Sequence, residues 1–174
     1  MNKKIIYIII IIINIICLYN ISNNRNNNYN NSNSNELPSY DANMICIKNT
    51  DNLVDEESVS STSKIYINYD DNNILDSTYQ IITISDSFYK SRIDMIQEYL
   101  DLYKGIDGIT SSVYQYNNSI VTTIKYDYTK IDLNILKNKL GNILDEDSIF
   151  NHINTLPFTL DTYKEYELYD YSCK

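Results

Sequence analysis

Glycine is scarce in this chain: three among 174 residues, alongside two prolines, one histidine and no tryptophan. Phosphate-cradling and dinucleotide-binding loops use glycines to let the backbone approach the ligand closely, and the nucleophile elbow of hydrolases uses them for its tight turn. None of these patterns occurs here. The single histidine, His152, lies in Phe150-Asn151-His152-Ile153, with no nucleophile and orienting carboxylate beside it. General acid–base work needs that company, so His152 reads as a partly buried structural residue. The sequence predicts neither a catalytic constellation nor a cofactor.

Basic residues are also in deficit. Lys and Arg number 14 against 23 Asp and Glu, a formal net charge of -9. Nucleic-acid affinity rests on Lys and Arg displacing counterions along the phosphates, and no basic stripe is present, which excludes that class. The same charge repels anionic lipid headgroups, so the domain is expected to stand off a membrane unless anchored. Two acidic clusters, Asp70-Asp71 and Asp145-Glu146-Asp147, lack the alternating ligands, the central glycine and the terminal Glu of an EF-hand loop. They read as solvated loops or helix openings, and no metal is expected.

What abounds is Ile, Asn, Tyr, Asp and Lys. All five have A/T-rich codons, so their abundance reports a genome composition before it reports a function.

Lys3 and Lys4 precede an Ile-dominated run over residues 5–19, interrupted by Asn14. Positive charge followed by such a run is the pattern of a secretory signal. Its length is also near the lower limit for a helix that spans a bilayer, and the lysines would stay inside. Residues 1–19 are therefore expected to form a hydrophobic helix that takes the rest of the chain out of the cytoplasm. Three fates compete: an uncleaved anchor, a lipoprotein signal modified at Cys17, and a cleaved signal peptide. Ile16 stands where a lipoprotein signal carries a small residue, which speaks against lipid on Cys17, and no small-x-small cleavage site follows the run. Residues 20–39 are rich in Asn and Ser and poor in apolar side chains. Such a stretch buries too little surface to offset the entropy of ordering it, and it reads as a tether.

Periodicity returns over 40–174. Residues 44–48 form a short strand-like run, and 49–63 is polar and acidic, the pattern of a long loop or loose hairpin connection. Residues 64–69 alternate like a half-buried strand. Asp70-Asp71-Asn72-Asn73 has turn chemistry, and a second strand follows over 77–84. Ser85 or Asp86 can cap a helix in which Tyr89, Ile93, Ile96, Leu100 and Tyr103 recur at helical spacing, widened by Met95, Tyr99 and Leu102. Gly105 stops it, and Gly108 turns the chain into strands over 109–116 and 119–128, joined at Asn117-Asn118. Helical spacing recurs over 132–140, a helical turn is expected over 146–152, and Thr159 or Asp161 caps a helix reaching about Leu168. A short strand closes the chain over 169–174. The sum is an α+β domain: an antiparallel sheet of about five or six strands with two or three helices on one face.

Three cysteines are present. Cys17 lies in the hydrophobic run, leaving Cys46 in the first strand and Cys173 in the last. A pair in an exported domain reads as a disulfide; free thiols and a metal pair are the competing readings, and two sulfurs without a His cluster make a poor zinc site. Tyr66, Tyr69, Tyr114, Tyr116, Tyr126 and Tyr128 fall at alternating strand positions, so some can share a face and line a glycan or peptide groove. Core packing explains them more cheaply.

Met44-Ile45-Cys46, Lys104-Gly105-Ile106-Asp107-Gly108-Ile109, Ile124-Lys125-Tyr126-Asp127-Tyr128 and the closing Tyr171-Ser172-Cys173-Lys174 together resemble the YehR-like small bacterial lipoproteins. The resemblance spans nearly all of 43–174, through order and pattern more than any sharp motif. It implies an α+β domain tethered to the outer face of the cytoplasmic membrane. The poor lipoprotein signal at Cys17 and the long Asn-rich tether depart from it, and no catalytic residue carries over. The expectation is a membrane-tethered extracytoplasmic domain that binds or interacts without catalysis. The alternative is a cell-envelope lipoprotein that binds glycan or peptide through a tyrosine-lined face. The expected partners are the membrane, through the N-terminal segment, and an envelope protein or glycan.

Overall fold

The computed structural model describes residues 37–54, 57–84, 93–141, 144 and 148–174. The hydrophobic run, Cys17 and most of the tether lie outside the described residues, as do Ser85, Asp86, Tyr89 and Asp145-Glu146-Asp147. No helix among the described residues is long and apolar enough to cross a membrane.

Among the described residues, six strands make one antiparallel sheet: β1 (Met44–Val54), β2 (Glu57–Asp70), β3 (Asn73–Ile84), β4 (Ile109–Tyr116), β5 (Ser119–Asp127) and β6 (Ser172–Cys173). Their spatial order is β4-β5-β3-β2-β1-β6. Hairpin chemistry sets much of this register. Asp71 and Asn72 both take positive φ (45° and 71°) between paired Asp70 and Asn73. Two such residues in a two-residue loop match the right-handed twist of the flanking strands. Asn117 (φ 51°) does the same work between β4 and β5, since Asn tolerates the left-handed region better than most residues.

The polar stretch over 49–63 is a correction. Most of it is not loop: β1 and β2 pair in unbroken register from Met44↔Ile67 to Val54↔Glu57. Side chains that looked like loop chemistry bond across the ladder, Ser60 Oγ to Asp51 Oδ1 at 2.6 Å and Thr62 Oγ1 to Asn49 Oδ1 at 2.9 Å. Likewise β3 begins at Asn73 rather than Ser77, because a register shift at Asn68/Tyr69 breaks the alternation that the eye follows.

Four helices occur among the described residues: α1 (Ile93–Asp101), α2 (Leu133–Leu140), α3 (Ile149–His152) and α4 (Leu160–Tyr166). The one-turn α3 falls within the helical turn expected over 146–152, beside the three longer helices. Asp132 caps α2 by accepting from Asn134 and Ile135 N–H, and Thr159 caps α4 by accepting from Thr162 N–H. Each cap satisfies backbone donors that the first turn leaves over. Leu102 departs from the expected stripe: α1 ends before it, and the side chain is 40% exposed.

All four helices cover one face of the sheet. Ile93, Ile96 and Leu100 of α1 pack on Val59 and Ile120. The helices α2 to α4 pack on Cys46, Ile65, Ile67, Tyr126 and Tyr128. Strand parity and the paired register put these sheet residues on the same side. Burying an aliphatic or aromatic side chain of this kind stabilises by about 1.5–3 kcal/mol, so this layer holds the fold. The sheet's second face carries no described helix, and that is where the chain enters.

Candidate functional site

The two domain cysteines meet. Cys46 and Cys173 are cross-strand partners in the β1–β6 ladder and form a disulfide. The bond is flanked by Ile45 N–H donating to the Lys174 carbonyl and Lys174 N–H donating to Ile45, both at 3.0 Å. It ties the end of the chain to the strand that begins the domain.

The six tyrosines read as strand residues do not form one lined face; they divide, and Tyr128 lies just past the end of β5. Tyr69, Tyr126 and Tyr128 point under the helices and belong to the core or pack against it. Tyr126 and Tyr128 stack at 5.9 Å, and Tyr128 meets Phe158 edge-on at 4.8 Å. Burial pushes the Tyr126 and Tyr128 hydroxyls far up from the usual range, so they stay neutral. These three are structural. Tyr66, Tyr114 and Tyr116 stand on the second face, by the parity of β2 and β4.

Strand pairing builds the second face in rows. Lys64, Gln80 and Thr123 are successive cross-strand neighbours on β2, β3 and β5, and Tyr66, Thr78 and Lys125 form the next row. Tyr114, Val121 and Ile82 form a third. Neighbouring strands lie about 4.8 Å apart, so each row is a short polar or aromatic strip. Gln80 and Val121 are fully buried, and Tyr66, Thr78 and Thr123 nearly so.

Residues 37–43 cross this face as a strap. The Asn43 N–H donates to the Ile67 carbonyl at 3.0 Å, and Tyr69 N–H donates to Asn43 Oδ1 at 3.1 Å. Asn68 Nδ2 donates to the Asp41 carbonyl at 3.2 Å. Further along, the Tyr40 ring packs edge-on against Tyr66 at 5.2 Å, and Gln80 Nε2 donates to the Pro38 carbonyl at 2.9 Å. Pro38 falls within the span read from sequence as tether, yet it is hydrogen-bonded to the middle of the sheet. Burial, with Tyr40 second, raises the hydroxyl pKa of both Tyr66 and Tyr114.

Two groups under this face are unsatisfied. Tyr114 Oη and Thr123 Oγ1 are buried and have no hydrogen-bond partner among the described residues. Nor does Lys64 or Lys125 meet an acidic partner there. An unpaired buried hydroxyl costs about 1–3 kcal/mol, which marks the face as unfinished.

The other candidates are resolved by position. His152 is exposed, not partly buried as expected, and its ring stacks on Tyr166 at 4.6 Å. Its place on the outer side of the one-turn α3 removes it from the core. Asp70 and Asp71 are exposed at the hairpin turn, and among the described residues no group of three His, Cys, Asp or Glu is placed to hold a metal ion. Sequence reasoning missed Tyr40, Gln80 and Thr123. Parity puts Tyr66 and Gln80 on one side, but Thr123 joins them only through the β3–β5 pairing, which is not local.

Fold and site together define a disulfide-closed α+β domain with helices on one face and a strapped polar-aromatic second face. No protein-family model matches the chain, and no curated protein matches it. Two solved structures are similar to it. The solution structure of Escherichia coli YehR shares 15% identity at a TM-score of 0.45, covering 60% of this chain and 75% of that one. The solution structure of a Streptococcus pneumoniae protein shares 13% identity at a TM-score of 0.42, covering 88% and 98%. Likeness at this level carries no family or activity to the chain.

Proposed function

We propose that this protein is held at a membrane by its N-terminal segment and presents the α+β domain on the extracytoplasmic side, as a non-enzymatic binding or interaction module. The observation that carries the reading is the Cys46–Cys173 disulfide. Such bonds persist in oxidising compartments and are rare in the cytosol. The Lys3-Lys4 and Ile-rich run of the sequence supplies an export signal that agrees with it. The finer reading is a lipoprotein of the YehR-like type with lipid on Cys17, and the motifs over 43–174 support it while Ile16 opposes it.

The test is the intact mass of the protein extracted from membranes of the expressing cell. An uncleaved chain two hydrogens lighter than the fully reduced mass per disulfide supports the anchored reading. A lipid adduct with loss of residues 1–16 supports lipidation at Cys17. A fully reduced chain recovered from the cytosol overturns both.

A glycan- or peptide-binding face is a second reading, now confined to the strapped side of the sheet. Tyr66, Tyr114 and Tyr116 share it with Tyr40, whereas Tyr69, Tyr126 and Tyr128 are committed to the core.

A further inference from the structure

The strap over the second face resembles a ligand more than a piece of the core. Residues 37–43 contribute no helix and no strand. Their contacts are those a bound extended peptide makes: a backbone carbonyl held by a buried amide, and one aromatic side chain against a sheet tyrosine. The buried amide, Gln80, has no exposed surface, and a Gln in that position needs a partner for its amide hydrogens. The strap supplies only one such bond to the middle of the sheet.

What the strap leaves over is specific. Thr123 is the cross-strand neighbour of Gln80, is 92% buried by its 8% relative exposure, and its Oγ1 lacks a partner among the described residues. Tyr114 Oη, on the next strand out, is in the same state. Lys64 and Lys125 flank the Gln80 and Thr78 positions in the same two rows, with no acidic partner among the described residues. The next row on this face carries Asp76 and Asp127, but Asp76 accepts from Asn68 Nδ2 and Asp127 is paired with Lys130. In a chain of net charge -9, Lys64 and Lys125 are thus left without an acidic partner among the described residues and favour negative charge over their own two rows.

We propose that the second face is a groove for an extended acidic peptide bearing an aromatic side chain, seated over Tyr66, Gln80, Tyr114 and Thr123 between Lys64 and Lys125, and that residues 37–43 occupy it in cis until such a partner displaces them. Peptides recognised in this manner gain main-chain hydrogen bonds and place one side chain in a pocket. The strap competes with any incoming peptide, so the apparent affinity is reduced by the fraction of molecules in which the groove is vacated. This deepens the binding-module reading above and is independent of how the N-terminal segment is processed.

The experiment uses the full chain in detergent micelles and a fluorescently labelled peptide of the chain's own sequence over residues 35–43, which carries Glu36, Tyr40 and Asp41. Fluorescence anisotropy compares the wild type with Tyr40→Ala and Pro38→Gly, either of which loosens the strap. Pro38 is exposed, so its substitution keeps the test available if Tyr40→Ala does not fold. The expected result is weak binding to the wild type and binding at least about tenfold tighter to the strap variants, as a vacated fraction near a tenth requires. Adding Lys64→Ala and Lys125→Ala, or raising the salt, should weaken binding several-fold.

Equal affinity for the wild type and a folded strap variant overturns the proposal. So does binding that ignores both lysines and salt, or a probe displaced by a neutral oligosaccharide but not by unlabelled peptide. A domain that is found at the membrane and binds no peptide removes this inference and leaves the anchored-domain reading standing.

Discussion

Tyr79 donates its hydroxyl hydrogen to Glu167 Oε2 at 2.9 Å, and Tyr163 donates to the Tyr79 oxygen at 2.6 Å. Tyr79 stands on β3 and Tyr163 on α4, with Glu167 just past the end of that helix. The relay clamps α4 to the centre of the sheet, and the Ile149 backbone N–H adds a second donor to the carboxylate. Burial nevertheless outweighs these bonds and holds the Glu167 carboxyl above its ordinary value of 4.5. A folded-state pKa raised in this way contributes stability below about pH 4.5, and that contribution is lost as pH rises through the folded value. Glu167→Gln keeps an oxygen for Tyr79 and removes the buried charge. Thermal melts of the two proteins should therefore differ more in the variant's favour at neutral pH than near pH 4. A gap that does not change with pH would show that burial does not raise the Glu167 pKa in the folded protein.

The Cys46–Cys173 bond closes a loop with a sequence separation of 127. In the chain-entropy account, a loop this long stabilises by about 5 kcal/mol, less any strain in the native state. Cys46→Ala with Cys173→Ala, or reduction, should lower the unfolding free energy in urea by an amount of that order and raise the denaturant slope, because the unfolded chain without its cross-link exposes more surface. Hydrogen exchange should localise the loss first to β6, whose ladder with β1 has only two registered pairs. Protection at Ile45 N–H, which depends on the Lys174 carbonyl, is the reporter.

Local rules carried the sequence reading a long way. Asn117 between β4 and β5, the Asp70–Asn73 turn, the stripe of Ile93, Ile96 and Leu100, and the Thr159 cap all follow from chemistry within a few residues. So does the disulfide, once the compartment is inferred. Hydrophobic pattern failed where the sheet does not need it. The far ends of β1 and β2 pair through backbone and through Ser, Thr, Asn and Asp side chains, and polar alternation there resembles a loop. The candidate site failed for another reason. Its rows run across β2, β3, β5 and β4, and the adjacency of β3 to β5 skips α1 and β4 in the chain. No window of the sequence contains Gln80 and Thr123 together with Tyr40.

Gly108 is the glycine on which the β4–β5 end of the sheet depends. It has φ +82°, and a Cβ there would lie 2.6 Å from the Asp127 carbonyl oxygen and 2.9 Å from an Ile131 side-chain carbon. Its own carbonyl accepts from Asp127 N–H at 2.7 Å, so the backbone has nowhere to retreat. Gly108→Ala combines a left-handed conformation that alanine disfavours with a backbone clash. A loss of about 2–4 kcal/mol in unfolding free energy is expected. Gly105 has φ +75°, but its nearest neighbour to a built Cβ is the end of the flexible Lys139 side chain at 3.7 Å. Gly105→Ala should therefore cost clearly less. Denaturant unfolding of the pair measures the difference, and equal losses would show that the Asp127 contact is immaterial.

Thr123 separates stability from binding. Its hydroxyl is buried without a partner among the described residues, and removing an unsatisfied buried polar group while keeping the shape of the side chain is neutral or favourable. Thr123→Val has nearly the same outline, suits a strand, and should raise the melting temperature by a few degrees, corresponding to about 1 kcal/mol in a domain of this size. Thr123→Ser keeps the hydroxyl and loses a methyl, so it should melt below the wild type. If the hydroxyl is kept for a peptide that occupies the groove, the valine variant gains stability and loses affinity for partners that place a donor or acceptor beside Gln80. A fall in melting temperature for Thr123→Val would mean that the hydroxyl already has a partner in the folded chain, and the groove would then be complete without a ligand.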